Sequence, residues 1–272
     1  MRKVSLLIAI LFFLAVISVD AAAERTMTSE LSEEATMQNS YGAGWLIGHG
    51  VRNEQGEDLG SVVDILFAEN GKIEYVILDQ GGVLGRGILG RGIGDQLYAV
   101  PWSIADVSPA EDRITLDIAK GKLMDAPTFA KTEWEKFGDP DFTRSVYGYY
   151  DLEETPLAEV EQTFRIDVHR ATSTLEIPVL NVQGERLGSL EELIVGEDDR
   201  IRYAIVSRGG FLGLGQALIP VPFHSIAFEP DGRTARLDME KSEFENAPRL
   251  EGRRWSALES PDFEMKVHEY FE

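Results

Sequence analysis

The sequence predicts a mainly β protein made of two tandem small β-barrels, each followed by a short helical or irregular extension. Three observations lead there. From Gly44 onward the chain states one pattern twice. Each statement is a series of short β-type runs separated by glycine turns. Each then closes on Pro, Trp and Phe at matching spacings.

The chain has 272 residues, with 26 Lys+Arg, 47 Asp+Glu, four His and no Cys. That length suits one large domain or two modest ones, each with its own core. Without Cys there are no disulfides, thiolate metal sites, Cys nucleophiles or Fe–S clusters. A net charge of −21 argues against binding a nucleic-acid backbone, which calls for a basic footprint.

The first 23 residues read as a secretory signal peptide. Arg2 and Lys3 precede an apolar run from Val4 to Val19, and Ala21-Ala22-Ala23 is a small-residue cleavage site. The run has 16 residues, short of the ~20 a spanning helix needs, which favours cleavage after Ala23 over a retained anchor. An exported protein is expected, periplasmic or secreted, with no membrane span after cleavage. Residues 24–43 are polar without apolar periodicity and read as a flexible leader.

The first repeat is placed at 44–151 and the second at 171–272. Residues 51–87 against 179–215 give 17 identities in 37 pairs, which indicates duplication of a ~100-residue unit rather than a short-period solenoid. Asn53-x-Gln55-Gly56-Glu57-x-Leu59-Gly60-Ser61 returns as Asn181-x-Gln183-Gly184-Glu185-x-Leu187-Gly188-Ser189. Gly81-Gly82-x-Leu84-Gly85 returns as Gly209-Gly210-x-Leu212-Gly213, and Val100-Pro101-Trp102 as Val221-Pro222-Phe223. Ala126-Pro127, Trp134 and Pro140-Asp141-Phe142 return as Ala247-Pro248, Trp255 and Pro261-Asp262-Phe263.

Val62–Phe67 reads as a strand with Val63, Ile65 and Phe67 on one face and Asp64 on the other. Ile73–Leu78, apolar on both faces, suits a strand buried on both sides. Asn70-Gly71 between them is a hairpin signal, because both residues tolerate φ > 0. Gln55-Gly56 and Gln183-Gly184 mark an earlier turn, and Tyr98–Trp102 and Ile114–Ile118 supply later strands. Such spacing fits a small barrel or sandwich per repeat. Ser242-x-x-Glu245 has capping-box spacing, so a helical turn is expected before Ala247-Pro248. Residues 152–170 read as a linker with one short helix, Thr155 as N-cap and Pro156 at the first helical position.

These ordered motifs resemble the PRC-barrel family, named from the H subunit of the photosynthetic reaction centre. The shared pattern is G-E-x-L-G, a hairpin, G-G-x-L-G and V-P-[WF], and both repeats carry all of it. The resemblance implies a small β-barrel used as an interaction module, without catalytic residues common to the family. Family members include the C-terminal domain of a ribosome maturation factor. This chain lacks that factor's companion domain, and it is acidic.

Candidate sites are few. Gly85-x-Gly87-x-x-Gly90 matches the dinucleotide fingerprint, but it leads into a strand rather than a helix, so a wide hairpin loop is the better account. With Arg86 and Arg91 in an acidic protein, the loop Gly85, Arg86, Gly87, Gly90, Arg91 is a candidate contact for an anion or acidic partner. His49, His169, His224 and His268 have no metal-ligand spacing, and no metal or cofactor is expected. Acidic runs at Glu33-Glu34, Glu153-Glu154, Glu191-Glu192 and Glu197-Asp198-Asp199 lack the calcium-loop pattern and read as solvated faces. Trp134 with Phe142, and Trp255 with Phe263, read as core clamps where each tail folds over its barrel; Trp102 and Phe223 read as packing residues.

The functional expectation is a non-enzymatic protein-interaction or scaffold module of the bacterial cell envelope, with another protein as partner and oligomerisation left open. The alternatives are an enzyme with an acidic site between the barrels, signalled by a cleft holding a carboxylate of raised pKa, and a ribosome- or RNA-processing-associated factor.

Overall fold

The structure, a computed structural model, describes residues 40–80, 96–152, 168–209 and 216–272. The expected signal peptide, most of the leader, the candidate loop Gly85–Arg91 and the linker helix at Thr155 lie outside these residues. Among the described residues no helix is long and apolar enough to cross a membrane.

The first repeat opens with β1 (Tyr41–Gly42) and a single helical turn, α1 (Ala43–Leu46). Its strands are β2 (Gly50–Asn53), β3 (Asp58–Phe67), β4 (Ile73–Asp79), β5 (Gln96–Pro101), β6 (Ala105–Ser108), β7 (Arg113–Leu116) and β8 (Thr128–Ala130). Two short helices accompany them, α2 (Lys120–Met124) and α3 (Pro140–Tyr149). The second repeat follows the same plan: β9 (His169–Arg170), α4 (Ala171–Thr174), β10 (Pro178–Leu180), β11 (Arg186–Val195), β12 (Ile201–Arg208), β13 (Ala217–Pro222), β14 (Ile226–Phe228), β15 (Ala235–Leu237), α5 (Lys241–Phe244) and α6 (Pro261–Phe271).

The strand orders match. One sheet runs β6-β7-β2-β3-β4-β5-β8 and the other β14-β15-β10-β11-β12-β13. Neighbours are antiparallel except β2 with β7 and β10 with β15, which are parallel. The counterpart of β8 is reduced to one bridge, Leu218 with Leu250. The protein is thus mainly β, two small barrels each ending in a helix.

The repeated motifs build the same local geometry twice. Asn53 accepts from the Glu57 amide at 2.8 Å and donates to the Glu57 carboxylate at 2.7 Å. Asn181 does the same with Glu185, at 2.8 and 2.9 Å. Each turn passes through a glycine in the left-handed region, Gly56 at φ 78° and Gly184 at φ 81°. At Gly60 and Gly188 a Cβ would fall within van der Waals contact of the Asp79 and Ser207 carbonyl oxygens. Only glycine lets β3 cross β4, and β11 cross β12, that closely.

Strands β3 and β4 pair around Asn70-Gly71 as the sequence predicts, and β4 is buried on both faces from Tyr75 to Leu78. Alternation on β3 is broken, however. The pairing shifts between Val62 and Asp64, so Val63 is bulged out and left half-buried, while Asp64 is turned into the interior at 0% exposure. Strand β11 has the matching shift between Leu190 and Glu192, and Glu192 is 7% exposed. The exposed-face reading of Asp64 and Glu192 is corrected by these two bulges. Glu197, Asp198 and Asp199 are exposed, as expected.

Each tail folds over its barrel, but the buried wedges are not the tryptophans. Phe137 and Val146 are buried in the first tail, Leu258 and Val267 in the second. Trp134, Phe142, Trp255 and Phe263 pack on these at half burial. Trp102 and Phe223 are buried, and they open 3₁₀ turns after β5 and β13 rather than strands. The turn before Ala247-Pro248 exists as α5, but Glu240 occupies its N-cap, and the Ser242 carbonyl accepts from Asn246 instead.

The two barrels exchange their opening strands. β1 pairs with β11 of the second barrel (Tyr41 with Val195, Gly42 with Ile194), and β9 pairs with β3 of the first (His169 with Phe67, Arg170 with Leu66). Adding 128 to the β1 residues gives the β9 residues, and subtracting 128 from their β11 partners gives the β3 partners, so the halves are related by a pseudo-twofold axis. The hairpin tips meet on that axis. Ile73 donates to the Asp199 carbonyl at 3.1 Å and Ile201 to the Gly71 carbonyl at 2.8 Å. Phe67 then packs edge-on against Phe223 and Phe228, and one apolar core runs through both barrels. Tyr41–Gly42, which the sequence reads as leader, and His169–Arg170, which it reads as linker, are strands of the sheets.

Candidate functional site

Between the barrels, each bulge carboxylate is held by the other repeat's opening segment. Asp64 accepts from Arg170 Nε at 2.9 Å, the Thr172 amide at 3.1 Å, the Thr172 hydroxyl at 2.5 Å and the Ile65 amide at 3.0 Å. The Arg170 guanidinium also lies over the Trp134 ring at 3.6 Å, a cation–π stack that closes the site from the tail side. Arg170 therefore joins three parts of the chain: the second repeat's entry, the first repeat's bulge and the first repeat's tail.

Glu192 occupies the equivalent position with different partners. Gly42 and Gly44 stand where the other copy has Arg170 and Thr172, and the longer glutamate fills the space that they leave. It accepts from the Gly44 and Leu193 amides, both at 3.0 Å. A Cβ at Gly42 or Gly44 would lie 2.6 or 2.7 Å from Oε2. Burial raises its pKa above the ordinary glutamate value; the two amides and Arg253 oppose that rise. A carboxylate of raised pKa between the barrels is thus present, buried to 7% exposure with Gly42 and Gly44 against it. The arrangement fastens the barrels together.

The histidines are dispersed. His49 stacks on Trp45 at 4.4 Å, and His169 lies between Phe67 and Phe228. His224 and His268 stack at 6.3 Å, a meeting of the β13 end with α6 that their sequence spacing did not signal. The Tyr203 hydroxyl, pushed up to about 12 by burial, lies 3.2 Å from His268 Nε2. Among the described residues no group of three His, Cys, Asp or Glu is placed to hold a metal.

An open cavity of about 320 Å³ lies on the second barrel, lined by Arg186, Gly188, Ser189, Ser207, Arg208 and Lys241. Its position follows from the ladders. Strands β11 and β12 stay paired as far as Ser189 with Ser207. Beyond that point Gly188 and Arg186 pair with β10, while Arg208 pairs with Ala217 of β13. Gly188 still lies against the Ser207 carbonyl, and the groove opens beyond it, where Arg186 and Arg208 no longer pair with one another. Sequence reading missed it because its cations come from two strands and a helix far apart in the chain. The one signal available was the Asp58-to-Arg186 exchange inside an otherwise repeated motif. The candidate loop Gly85, Arg86, Gly87, Gly90, Arg91 lies outside the described residues.

Among curated proteins none matches the chain. The family model described as PRC-barrel domain matches residues 39–123 and 166–236, more than half of the chain and one segment in each repeat. The first match begins beside β1 and the second beside β9, so both include the exchanged strands. Domains of this family serve in protein-interaction modules and have no catalytic role of their own. The twofold motif set, the paired barrels and this match identify the chain as a member of the PRC-barrel family, with two tandem copies of its domain.

Proposed function

We propose that the protein is an exported, non-enzymatic interaction or scaffold module of the bacterial cell envelope, and that its partner is another protein. The observation that carries this is the fastening of two barrels into one body whose equivalent surfaces differ in charge. Where the second barrel presents Arg186 and Arg208, the first presents Asp58 and Gln80. One body with two unlike faces can hold two ligands in a set geometry, and the fixed spacing raises the effective concentration of one for the other. The signal-like N-terminus supports the envelope location. The loop Gly85–Arg91 is proposed as a further partner contact on the first barrel.

The test is affinity capture from an envelope extract with the chain from residue 24 as bait, alongside fractionation of cells expressing the full sequence. The expected result is periplasmic or secreted protein that reproducibly captures one partner, with capture reduced when residues 85–94 are replaced by the shorter segment of the second copy. Cytosolic residence of the full chain, or no capture by folded bait, would overturn the reading. Capture of ribosomal material would replace it with the ribosome-associated alternative.

A further inference from the structure

We propose that the groove between β11 and β12 binds an acidic peptide segment of a protein partner through Arg186, Arg208 and Lys241. The inference rests on the reading of the chain as an interaction module and names the chemistry of the partner at one site.

The charges point to an anion. In a protein of net charge −21, three cationic side chains line one open cavity. Arg208 is shared with Glu245, whereas among the described residues neither Arg186 nor Lys241 faces a carboxylate partner. Arg186 instead donates to the Ser189 hydroxyl and the Gly188 carbonyl, contacts that hold its guanidinium along the groove wall. The Ser189 hydroxyl accepts from Arg186 and keeps its own proton to donate to a carboxylate oxygen, while the Ser207 hydroxyl donates to the Ser189 carbonyl at 3.3 Å.

The duplication supplies an internal control. Leu187, Gly188 and Ser189 equal Leu59, Gly60 and Ser61, because the strand crossing demands them. Around that constant frame, Arg186, Ser207 and Arg208 stand against Asp58, Asp79 and Gln80. The fold accepts either set, so the basic set is not there to make the barrel fold.

The shape points to a peptide rather than a small ion. The cavity runs along the ends of β11 and β12, from their last paired residues Ser189 and Ser207 to Arg186 and Arg208, and an extended segment can lie along it. The cations are spread over three elements, β11, β12 and α5, which suits several carboxylates in a row better than one compact oxyanion.

The experiment is anisotropy of fluorescein-labelled hexaglutamate titrated with the purified protein at low and high salt, with inorganic phosphate as competitor. The wild type is expected to bind, and to bind more weakly as salt is raised. Arg186→Asp/Arg208→Gln, which installs the first barrel's own residues, should weaken binding at least tenfold while the circular dichroism spectrum is unchanged. If that variant misfolds, Lys241→Gln on the half-exposed helix takes its place, with the same direction of effect. Undiminished binding by a folded variant overturns the proposal, as does complete displacement by phosphate with no preference for the peptide. A partner captured from extract equally well by wild type and variant also overturns it, while leaving the interaction-module reading standing.

Discussion

Asp64 and Glu192 occupy one position in the two barrels, each just past a β-bulge, and each is clamped by the opening segment of the other barrel. The two clamps solve the same packing problem differently. A short carboxylate meets Arg170 and Thr172 in one; a long carboxylate meets Gly42 and Gly44 in the other. Side-chain volume has been moved from one side of the contact to the other.

Arg170→Ala leaves Asp64 buried without its cation. Breaking a buried pair costs about 3–5 kcal/mol, and partial exposure of Arg170 lowers the expectation to roughly 2–4 kcal/mol. Urea denaturation measures it. Asp64→Asn should cost less, because the Thr172 contacts can be kept, and the double variant should show coupling between the two sites. Additive effects would mean that the pair does not fasten the barrels.

Glu192 gives a pH dependence of opposite sense to that of most carboxylates. Its folded pKa lies above the unfolded value, so the folded state holds the proton more tightly. Its stabilising contribution is complete below the ordinary glutamate pKa and is lost as pH rises through the elevated folded value. Glu192→Gln should remove that slope from the stability-versus-pH curve above the ordinary glutamate pKa. A curve unchanged by the substitution would assign the slope to other groups.

Gly44→Thr places a side chain where the Glu192 carboxylate now sits and should destabilise the protein by about 1–3 kcal/mol through overpacking. The triple variant Gly42→Arg/Gly44→Thr/Glu192→Asp transplants the first clamp into the second site and should recover much of the loss. Thermal melts of the single and triple variants provide the comparison.

Gly188→Ala is expected to be worse than any surface change, because the added methyl meets the Ser207 backbone carbonyl, which has no rotamer to escape into. A loss of several kcal/mol or insoluble expression is the expected outcome. Gly184→Ala, at a positive φ but facing open space, should cost only about 1 kcal/mol.

Trp134→Ala and Trp255→Ala separate two residues that the sequence treats alike. Both are half-buried, so each should cost less than the ~3–5 kcal/mol of a fully buried aromatic. Trp134 carries the Arg170 guanidinium on its face, whereas Gly42, the counterpart of Arg170 in the other copy, has no side chain to lay on Trp255. The first substitution should therefore cost more, read as a larger drop in the urea midpoint.

Much of each barrel was legible because its signals are local. Asn70-Gly71 marked its hairpin, the apolar run from Ile73 marked a doubly buried strand, and the paired motifs marked two copies of one fold. What escaped was set by non-local pairing. A bulge is one extra residue with no composition of its own, so strict alternation placed Asp64 outside when it lies inside. Tyr41–Gly42 and His169–Arg170 are two-residue strands, too short for any periodicity, and their partners lie more than 100 residues away. The basic groove was hidden for the same reason: Arg186, Arg208 and Lys241 converge only where the pairing of β11 with β12 ends.

The crossed opening strands carry a consequence for how such a chain arises and how it can be divided. Each half bears at its own start the edge strand that completes the other half. Two separate copies of a single half would satisfy the same pairings as a symmetric dimer. The 272-residue chain is then a homodimer written on one polypeptide. On one polypeptide the two clamps need not be identical, and Asp64 and Glu192 differ, as do Asp58 and Arg186 at the groove. Cutting within 153–167 need not separate the halves, whereas removing residues 40–42 should open the second barrel rather than the first.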